Sequence, residues 1–265
     1  MKKNNKTLID LCNISIAAGL IVKKFYKKKS IVQYKKDKSP LTEADIASNN
    51  FIVDSLYKID SNIPILTEES LVSWKIRKKW STYWLVDPLD GTKEFIKQND
   101  QFTINIALIE KNEPVIGIIY APALKILYYA SKNKGSFKIS TSKKIISLKK
   151  SILLKSIEKK KSDKLNVISS KSHSKIESLN WLKTNIKNYN IIKVGSSLKF
   201  CKIAEGAADL YPRLGPTSEW DIAAGHIILN EAGGRIEGIN REKILYNKKE
   251  SVINPPFVAS CNLSD

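Results

Sequence analysis

At 265 residues and 42% hydrophobic, the chain can bury one large core or two joined ones, and no apolar run nears the roughly 18 residues of a membrane-spanning helix. The formal net charge of +19 comes from lysines scattered along the whole sequence, without interleaved aromatics, RGG segments or a known binding motif, so general basicity outranks specific nucleic-acid binding. A basic nucleic-acid-binding protein is carried only as the alternative from another class, and the positive field suits a small polyanionic substrate.

Residues 1–29 start basic, but Asp10 and Asn13 interrupt the apolar part and more lysine follows, so an amphipathic helix is expected rather than a signal peptide. Leu8, Leu11, Ala18, Val22 and Phe25 share one face of it. A second helix is expected from Thr42, with Ile52, Leu56 and Ile59 at helical spacing, and then a short strand, IPIL, runs into Thr67-Glu68-Glu69-Ser70. YWLVDPLDGTKEF (83–95) reads as a strand ending in a turn. FTINIALIE, PVIGIIYAP and ILYYAS read as paired strands of one sheet.

Lysine and serine dominate 138–164, which marks the boundary between an N-terminal α+β half (about 1–140) and a C-terminal α/β half (about 163–265) of a single catalytic unit, 1–265. The second half reads as strand LNVISS, a helix around 176–184, strand IIKVG, helix SSLKFCKIAEGA and strand DLYPR. A last helix starts at Ser218 and stops before Gly233-Gly234, where a C-terminal glycine belongs. Strands alternating with helices in mixed order imply a layered α/β (α+β) structure.

Three cysteines (Cys12, Cys201, Cys261) without a C-x-x-C pair argue against a disulfide framework or a structural zinc site and for a reducing compartment. Two histidines are too few for most histidine-built centres, so a metal here would take carboxylates, which favours Mg²⁺ over Zn²⁺.

Five acids sit where the backbone changes type: Asp45, Glu68, Asp87, Asp90 and Asp221. Each has a structural explanation. T-x-x-D at 42–45 and S-x-x-D at 218–221 are acceptable capping boxes, Glu68-Glu69 fits a solvated turn, and Asp-Pro-Leu-Asp fits a β-turn. DPLDGT is different because its parts answer one another. A strand holds Asp87, Pro88 directs the chain so that Asp90 points nearby, and Gly91 permits close approach. A helix opening at Gly91-Thr92 would favour a phosphate, and two such carboxylates can share cations about 3.5–4 Å apart.

In their order along the chain, Glu68-Glu69-Ser70, then 87–92 (DPLDGT), then 220–225 (WDIAAG) resemble the inositol monophosphatase superfamily, and the likeness runs from SPLTEAD at 39–45 to the last strand. The Lys-Glu after DGT, the segment GSSLKFCKIAEGAADLYPRLGPTSEWD and SSKSHS at 169–174 resemble its 3′(2′),5′-bisphosphate nucleotidase branch, since an inositol phosphatase more typically reads DGTTNF.

That resemblance implies an αβαβα layered sandwich and a Mg²⁺-dependent, Li⁺-sensitive phosphatase binding two or more ions. Glu68, Asp87 and the Leu89 carbonyl would hold one ion, and Asp87, Asp90 and Asp221 a second. Asp45 and Thr92 would orient the attacking water, with Glu68 counted among the catalytic groups and no phosphoenzyme formed. Substrate contacts would come from Glu68, Leu89, Asp90, Gly91, Thr92 and Asp221, with Lys199 and Arg213 on the non-reacting phosphate and His173 near the adenine.

For Lys199 and Arg213 the reading as snorkelling surface cations stays open, as does a structural role for His173. Ser196 and Ser197 either contact phosphate or cap a helix. The implied reaction is hydrolysis of adenosine 3′,5′-bisphosphate, a by-product of sulfate assimilation, to AMP and phosphate. An inositol or sugar monophosphatase is the alternative. The expected setting is the cytoplasm, either free or loosely held on the inner membrane face through the basic first helix, as a monomer or a homodimer.

Overall fold

The computed structural model describes residues 2–26, 32–34, 40–141, 147–170 and 176–264. Helix α1 (Lys2–Phe25) buries Leu11, Ala18 and Val22, three of the residues whose spacing predicts its inner face. β1 (Val32–Tyr34) and β2 (Pro40–Thr42) form an antiparallel pair that leads into α2 (Glu43–Ile59), capped by Thr42. α2 buries Ala44, Ser48, Ile52 and Leu56, a four-residue repeat that lays one stripe against its neighbours.

β3 (Ile65–Thr67) starts two residues later than the IPIL run suggests, because Ile63 closes the turn after α2 and Pro64, whose carbonyl accepts the Trp84 N–H, has no N–H of its own to pair. After a single turn of helix, α3 (Trp74–Arg77), come β4 (Thr82–Asp90) and another single turn, α4 (Thr92–Ile96). β5 (Thr103–Glu110), β6 (Glu113–Ala121), β7 (Ile126–Ser131), β8 (Ser136–Ser140) and β9 (Ile152–Leu153) follow. Among the described residues β3 to β9 make one seven-stranded sheet in chain order, with β3 parallel to β4 and every later neighbour antiparallel.

The second part of the chain contributes β10 (Glu158–Lys160), β11 (Leu165–Ser170), α5 (Ile176–Asn185), β12 (Tyr189–Val194), α6 (Leu198–Ala204) and β13 (Leu210–Arg213). It ends with α7 (Glu219–Glu231), β14 (Arg235–Gly238), β15 (Phe257–Ser260) and β16 (Asn262–Ser264). Its main sheet has the order β12-β11-β13-β15-β14, while β10 pairs in parallel with β16. Thus 138–164 holds the end of the first sheet and the short strand that joins the chain's last one.

Both faces of the seven-stranded sheet are covered, which is why its strands read as nearly unbroken apolar runs. Trp84, Val86, Ile104, Ile106, Ile118 and Tyr120 pack with α1 and α2. The residues between them, including Tyr83, Leu85, Ala107, Ile109 and Ile119, pack with α6, α7 and the second sheet. α7 touches β4 to β8 on one side and β14 on the other, and α5 packs on β13. The layers therefore follow the expected αβαβα order. Cys12, Cys201 and Cys261 are free and buried, and no helix among the described residues is long and apolar enough to cross a membrane.

α7 can sit against β6 because position 117 has no side chain. A Cβ on Gly117 would lie 2.5 Å from the Ala224 carbonyl oxygen and would also strike Ile227. Gly117→Ala is therefore expected to lower the unfolding free energy by about 1–3 kcal/mol, the usual cost of overpacking. A reduced urea midpoint with an unchanged slope is the expected measurement. An unshifted midpoint would mean that α7 and β6 do not meet this closely.

Candidate active site

β4 does not stop at Asp87 but continues to Asp90 through a bulge. Asp87 pairs with Asn105 and Asp90 with Thr103, so three steps along β4 match two along β5. A bulge bends its strand and re-aims side chains, and proline, which has no N–H for the ladder, suits the irregular position. The bulge is braced on both sides: Leu89 N–H donates to Asp87 Oδ1 at 3.1 Å, and Ser48 of α2 donates its hydroxyl to the Pro88 carbonyl at 2.8 Å. Gly91 then takes a left-handed conformation (φ 84°), where a Cβ would be strained and would lie 3.1 Å from Ser196 Cβ. Its close approach is to the chain's own second half, and α4 starts one residue later.

Three elements deliver carboxylates to one point. β3 runs beside β4, and Glu68 N–H extends that pairing to the Val86 carbonyl at 3.1 Å, which brings Glu68 level with Asp87. Asp221 is the third residue of α7 and accepts the Ser218 N–H at 2.8 Å. One oxygen each from Glu68, Asp87 and Asp221 lies within 4.8 Å of the other two. Asp90 faces the same cavity, but its Oδ2 accepts the Ser197 N–H at 2.5 Å and the Thr103 hydroxyl at 3.5 Å.

Asp45, the third residue of α2, accepts the Thr42 N–H (2.7 Å) and hydroxyl (2.6 Å) on Oδ2 and the Thr92 hydroxyl (3.2 Å) on Oδ1. Both capping boxes read from the sequence thus exist, and Asp221 also lines the site while Asp45 reaches it through the Thr92 hydroxyl. Structural and site roles share one side chain because a carboxylate has two oxygens.

Burial raises Asp87 well above the ordinary carboxylate range, and the nearby Glu68, Asp90 and Asp221 carboxylates push it further. Asp221 is raised in the same way, by burial and then by Asp90 and Glu68. Asp90 is pushed up to about 6 by burial, with Lys199 opposing the rise. Asp87 Oδ2 is buried and has no hydrogen-bond partner among the described residues. Clustered carboxylate oxygens with an orphaned lone pair fit a hard divalent cation, and the absence of nitrogen or sulfur donors in the trio disfavours zinc.

The carboxylates open on a cavity of about 420 Å³ whose lining also includes Lys93, Lys199, Arg213, Tyr211 and Phe257. Lys199 is only 9% exposed; its ammonium donates to the Ser196 carbonyl at 2.5 Å and lies 5.6 Å from the Tyr211 ring centre. Burial lowers its pKa, with Asp90 opposing and Arg213 reinforcing the shift. Arg213, half-buried at the end of β13, donates to the Pro216 carbonyl at 2.8 Å. Leu89, Gly91 and Thr92 line the cavity too, so every predicted site residue except Asp45, which reaches it through Thr92, and His173, which lies outside the described residues, is found there.

The sequence profile of the Inositol monophosphatase family matches residues 4–261. The chain belongs to this family. Among its relatives, the 3′(2′),5′-bisphosphate nucleotidase CysQ of Salmonella typhimurium is 41% identical over 252 residues, 94% of this chain and 98% of the relative. The protein of the same name from Buchnera aphidicola is 41% identical over 262 residues, 96% of this chain and 94% of the relative. The crystal structure of CysQ from Bacteroides thetaiotaomicron, described as a bacterial member of the inositol monophosphatase family, superposes with a TM-score of 0.85 at 36% identity, covering 97% of each chain.

Several residues that shape this family member's site carry no motif. Ser197, placed by the sequence either on phosphate or at a helix cap, holds Asp90 through its N–H and shares its hydroxyl with Thr103 and Asn105, both at 2.8 Å. Gln101 accepts the Gly195 N–H at 2.7 Å and so ties the two halves of the chain together beside the cavity-lining Ser196. The available signal was the polar pair Thr103 and Asn105, two residues apart in an otherwise apolar strand.

A carboxyl group raised on folding is protonated more fully in the folded state, so its stabilising effect is complete below its unfolded value and fades as pH rises through the folded one. Without metal, wild-type protein and Asp87→Asn are expected to have similar melting temperatures near pH 4, the ordinary carboxylate value. As pH rises towards 7 the variant should become the more stable of the two. Melting curves in chelator check this, and a variant that loses stability relative to wild type across that range would contradict the burial of a repelled charge at position 87.

Proposed function

We propose that the chain is a Mg²⁺-dependent 3′(2′),5′-bisphosphate nucleotidase that hydrolyses adenosine 3′,5′-bisphosphate to AMP and phosphate. The two halves, about 1–140 and 163–265, act as one catalytic unit in the cytoplasm on a by-product of sulfate assimilation. The observation that carries the reading is the gathering of Glu68, Asp87 and Asp221 beside a cavity that also presents Lys199 and Arg213. The names borne by relatives around 40% identical support the nucleotidase branch.

Glu68, Asp87 and the Leu89 carbonyl would hold one Mg²⁺, and Asp87, Asp90 and Asp221 a second. Bound there, the metal would supply Lewis acidity to the phosphoryl oxygens and to the attacking water. The Thr92 hydroxyl donates a hydrogen bond to Asp45 Oδ1, which leaves its oxygen lone pair free to accept a hydrogen bond from that water. As the water oxygen bonds to phosphorus, its proton passes through Thr92 Oγ1 to Asp45, and the ribose oxygen departs in line and takes a proton from solvent. Asp45 keeps its orientation throughout because Thr42 holds the other oxygen. The N–H groups of Gly91 and Thr92 steady the phosphoryl oxygens. Arg213 and Lys199 meet the phosphate that does not react, arginine as a fork and lysine as a point charge.

A phosphate-release assay with adenosine 3′,5′-bisphosphate and inositol 1-phosphate, with and without Mg²⁺ and Li⁺, tests the reading. Mg²⁺-dependent, Li⁺-inhibited release from the nucleotide is expected. Brisk turnover of inositol phosphate with none of the nucleotide would reassign the chain to the inositol branch. Asp87→Asn should lower kcat by about 10³-fold or more, the rate equivalent of several kcal/mol of lost charge stabilisation.

Lys199→Met should weaken kcat/KM for the bisphosphate by about ten- to a hundredfold, the worth of one charged hydrogen bond. It should leave 3′-AMP, which lacks the second phosphate, nearly unaffected. Equal losses on both substrates would remove Lys199 from the second phosphate site.

A further inference from the structure

The segment 247–254, between β14 and β15, lies along the first turn of α7 and takes no part in the chemistry described above. Glu219 N–H donates to the Val252 carbonyl at 2.8 Å, and the Asn247 N–H donates to both Glu219 carboxylate oxygens at 2.9 and 3.0 Å. Asn247 is held in turn by Arg77, which is 2% exposed and donates to Asn247 Oδ1 at 2.5 Å. At the other end Asn254, 8% exposed, directs every donor it has at two residues. Its N–H donates to the Thr217 carbonyl at 2.8 Å, and its Nδ2 donates to the Thr217 carbonyl (3.2 Å), the Thr217 hydroxyl (3.2 Å) and the Ser218 carbonyl (2.7 Å).

The peptide group between Thr217 and Ser218 connects these contacts to the active site. Its carbonyl accepts twice from Asn254, and its N–H donates to Asp221 Oδ2 at 2.8 Å. Because a peptide is planar, fixing the carbonyl direction fixes the N–H direction on the opposite edge. We propose that Asn254 is a positioning residue for Asp221, acting through the Thr217–Ser218 peptide to aim the Asp221 carboxylate at Glu68 and Asp87. A residue serving only to stabilise its loop would spread its donors over that loop. Asn254 instead concentrates them on the two residues just ahead of α7, its side chain adding three contacts to the main-chain pairing of Ile253 with Ser218.

The inference rests on the proposed cation-binding role of Asp221, so its test reads metal binding directly and not turnover. Mn²⁺ binding to the full chain, followed by calorimetry or electron paramagnetic resonance, is compared between wild type, Asn254→Ala and Asn112→Ala. Asn112 is the matched control, since its amide anchors the opposite end of this segment from Asn254, donating to the Tyr246 carbonyl at 2.7 Å and the Asn247 carbonyl at 3.4 Å.

Asn254→Ala is expected to weaken Mn²⁺ binding about tenfold, as loss of a group that orients a metal ligand commonly does. Asn112→Ala should lower the melting temperature but leave the affinity within about twofold of wild type, a change too small to reflect a lost orienting contact. Unchanged affinity in Asn254→Ala, or an equal loss in Asn112→Ala, overturns the inference while leaving the proposed function intact. A wild-type protein that binds no Mn²⁺ overturns both. If Asn254→Ala does not fold, Asn254→Ser, which keeps a small polar group but cannot span to Ser218, is held to the same comparison with a smaller expected loss.

Discussion

Everything in this site follows from carboxylates held closer together than their charges favour. At 4.8 Å, two like charges repel by roughly 3 kcal/mol at an effective dielectric near 20, and burial adds to the cost of ionising them. A flexible chain would swing such groups apart into water. Here each is attached to a different rigid element, Glu68 just past β3, Asp87 at the bulge in β4 and Asp221 in the first turn of α7, so none can leave without disturbing an element that is itself packed on both sides. The unfavourable electrostatics are offset by the apolar core around them, where Leu66, Leu85, Val86, Ile222 and Ala223 are almost wholly buried.

The anchoring uses ordinary local structure. Asp45 and Asp221 occupy the third position of their helices, where a capping carboxylate turns back to the N-cap N–H and therefore holds a known orientation. Capping consumes one oxygen and leaves the other pointing away from the helix, which is the geometry a site needs. Reading such an acid as either a cap or a functional group therefore poses a false choice. The same economy appears at Gly91, whose left-handed backbone ends β4, begins α4 and lets the Ser196 loop of the second half close against the first.

Elements with a strong local period were legible in the sequence. The faces of α1 and α2, the limits of α7 at Ser218 and Gly233, and strands such as β11 and β5 follow from spacing and caps. The bulge in β4 was not legible, because a strand with one extra residue and a strand ending in a turn have the same composition; only pairing with Asn105 and Thr103 separates them. α6 starts later than SSLKFCKIAEGA suggests because Ser196 takes a left-handed conformation (φ 47°) and Ser197 turns its hydroxyl to Thr103 and Asn105. The order β12-β11-β13-β15-β14 also lies beyond local pattern, since it depends on contacts between distant segments. Among site residues, the acids stood out because charge beside an apolar run is conspicuous. Asn254 and Gln101 did not, because an amide that orients backbone looks in sequence like any polar loop residue.

Glu68, Asp87 and Asp90 come from the first half of the chain and Lys199 and Arg213 from the second, so the separation of these acids and cations is set by whatever joins the two halves. Hydrogen bonds from one loop do so: Ser197 N–H to Asp90, the Ser197 hydroxyl with Thr103 and Asn105, and Gly195 N–H to Gln101. Ser197 and Gly195 belong to the loop that also supplies the carbonyl holding the Lys199 ammonium. Asp90 thus faces the acidic cluster and at the same time fixes the loop just ahead of α6, the helix that carries Lys199. A substrate with two phosphates presents a fixed distance between charges, and recognising it requires cation and carboxylate sites at a matching fixed distance. On the proposed function, first-half acids that grip the loop ahead of Lys199 keep that distance, whereas a single phosphate would need only the cations held by the acids.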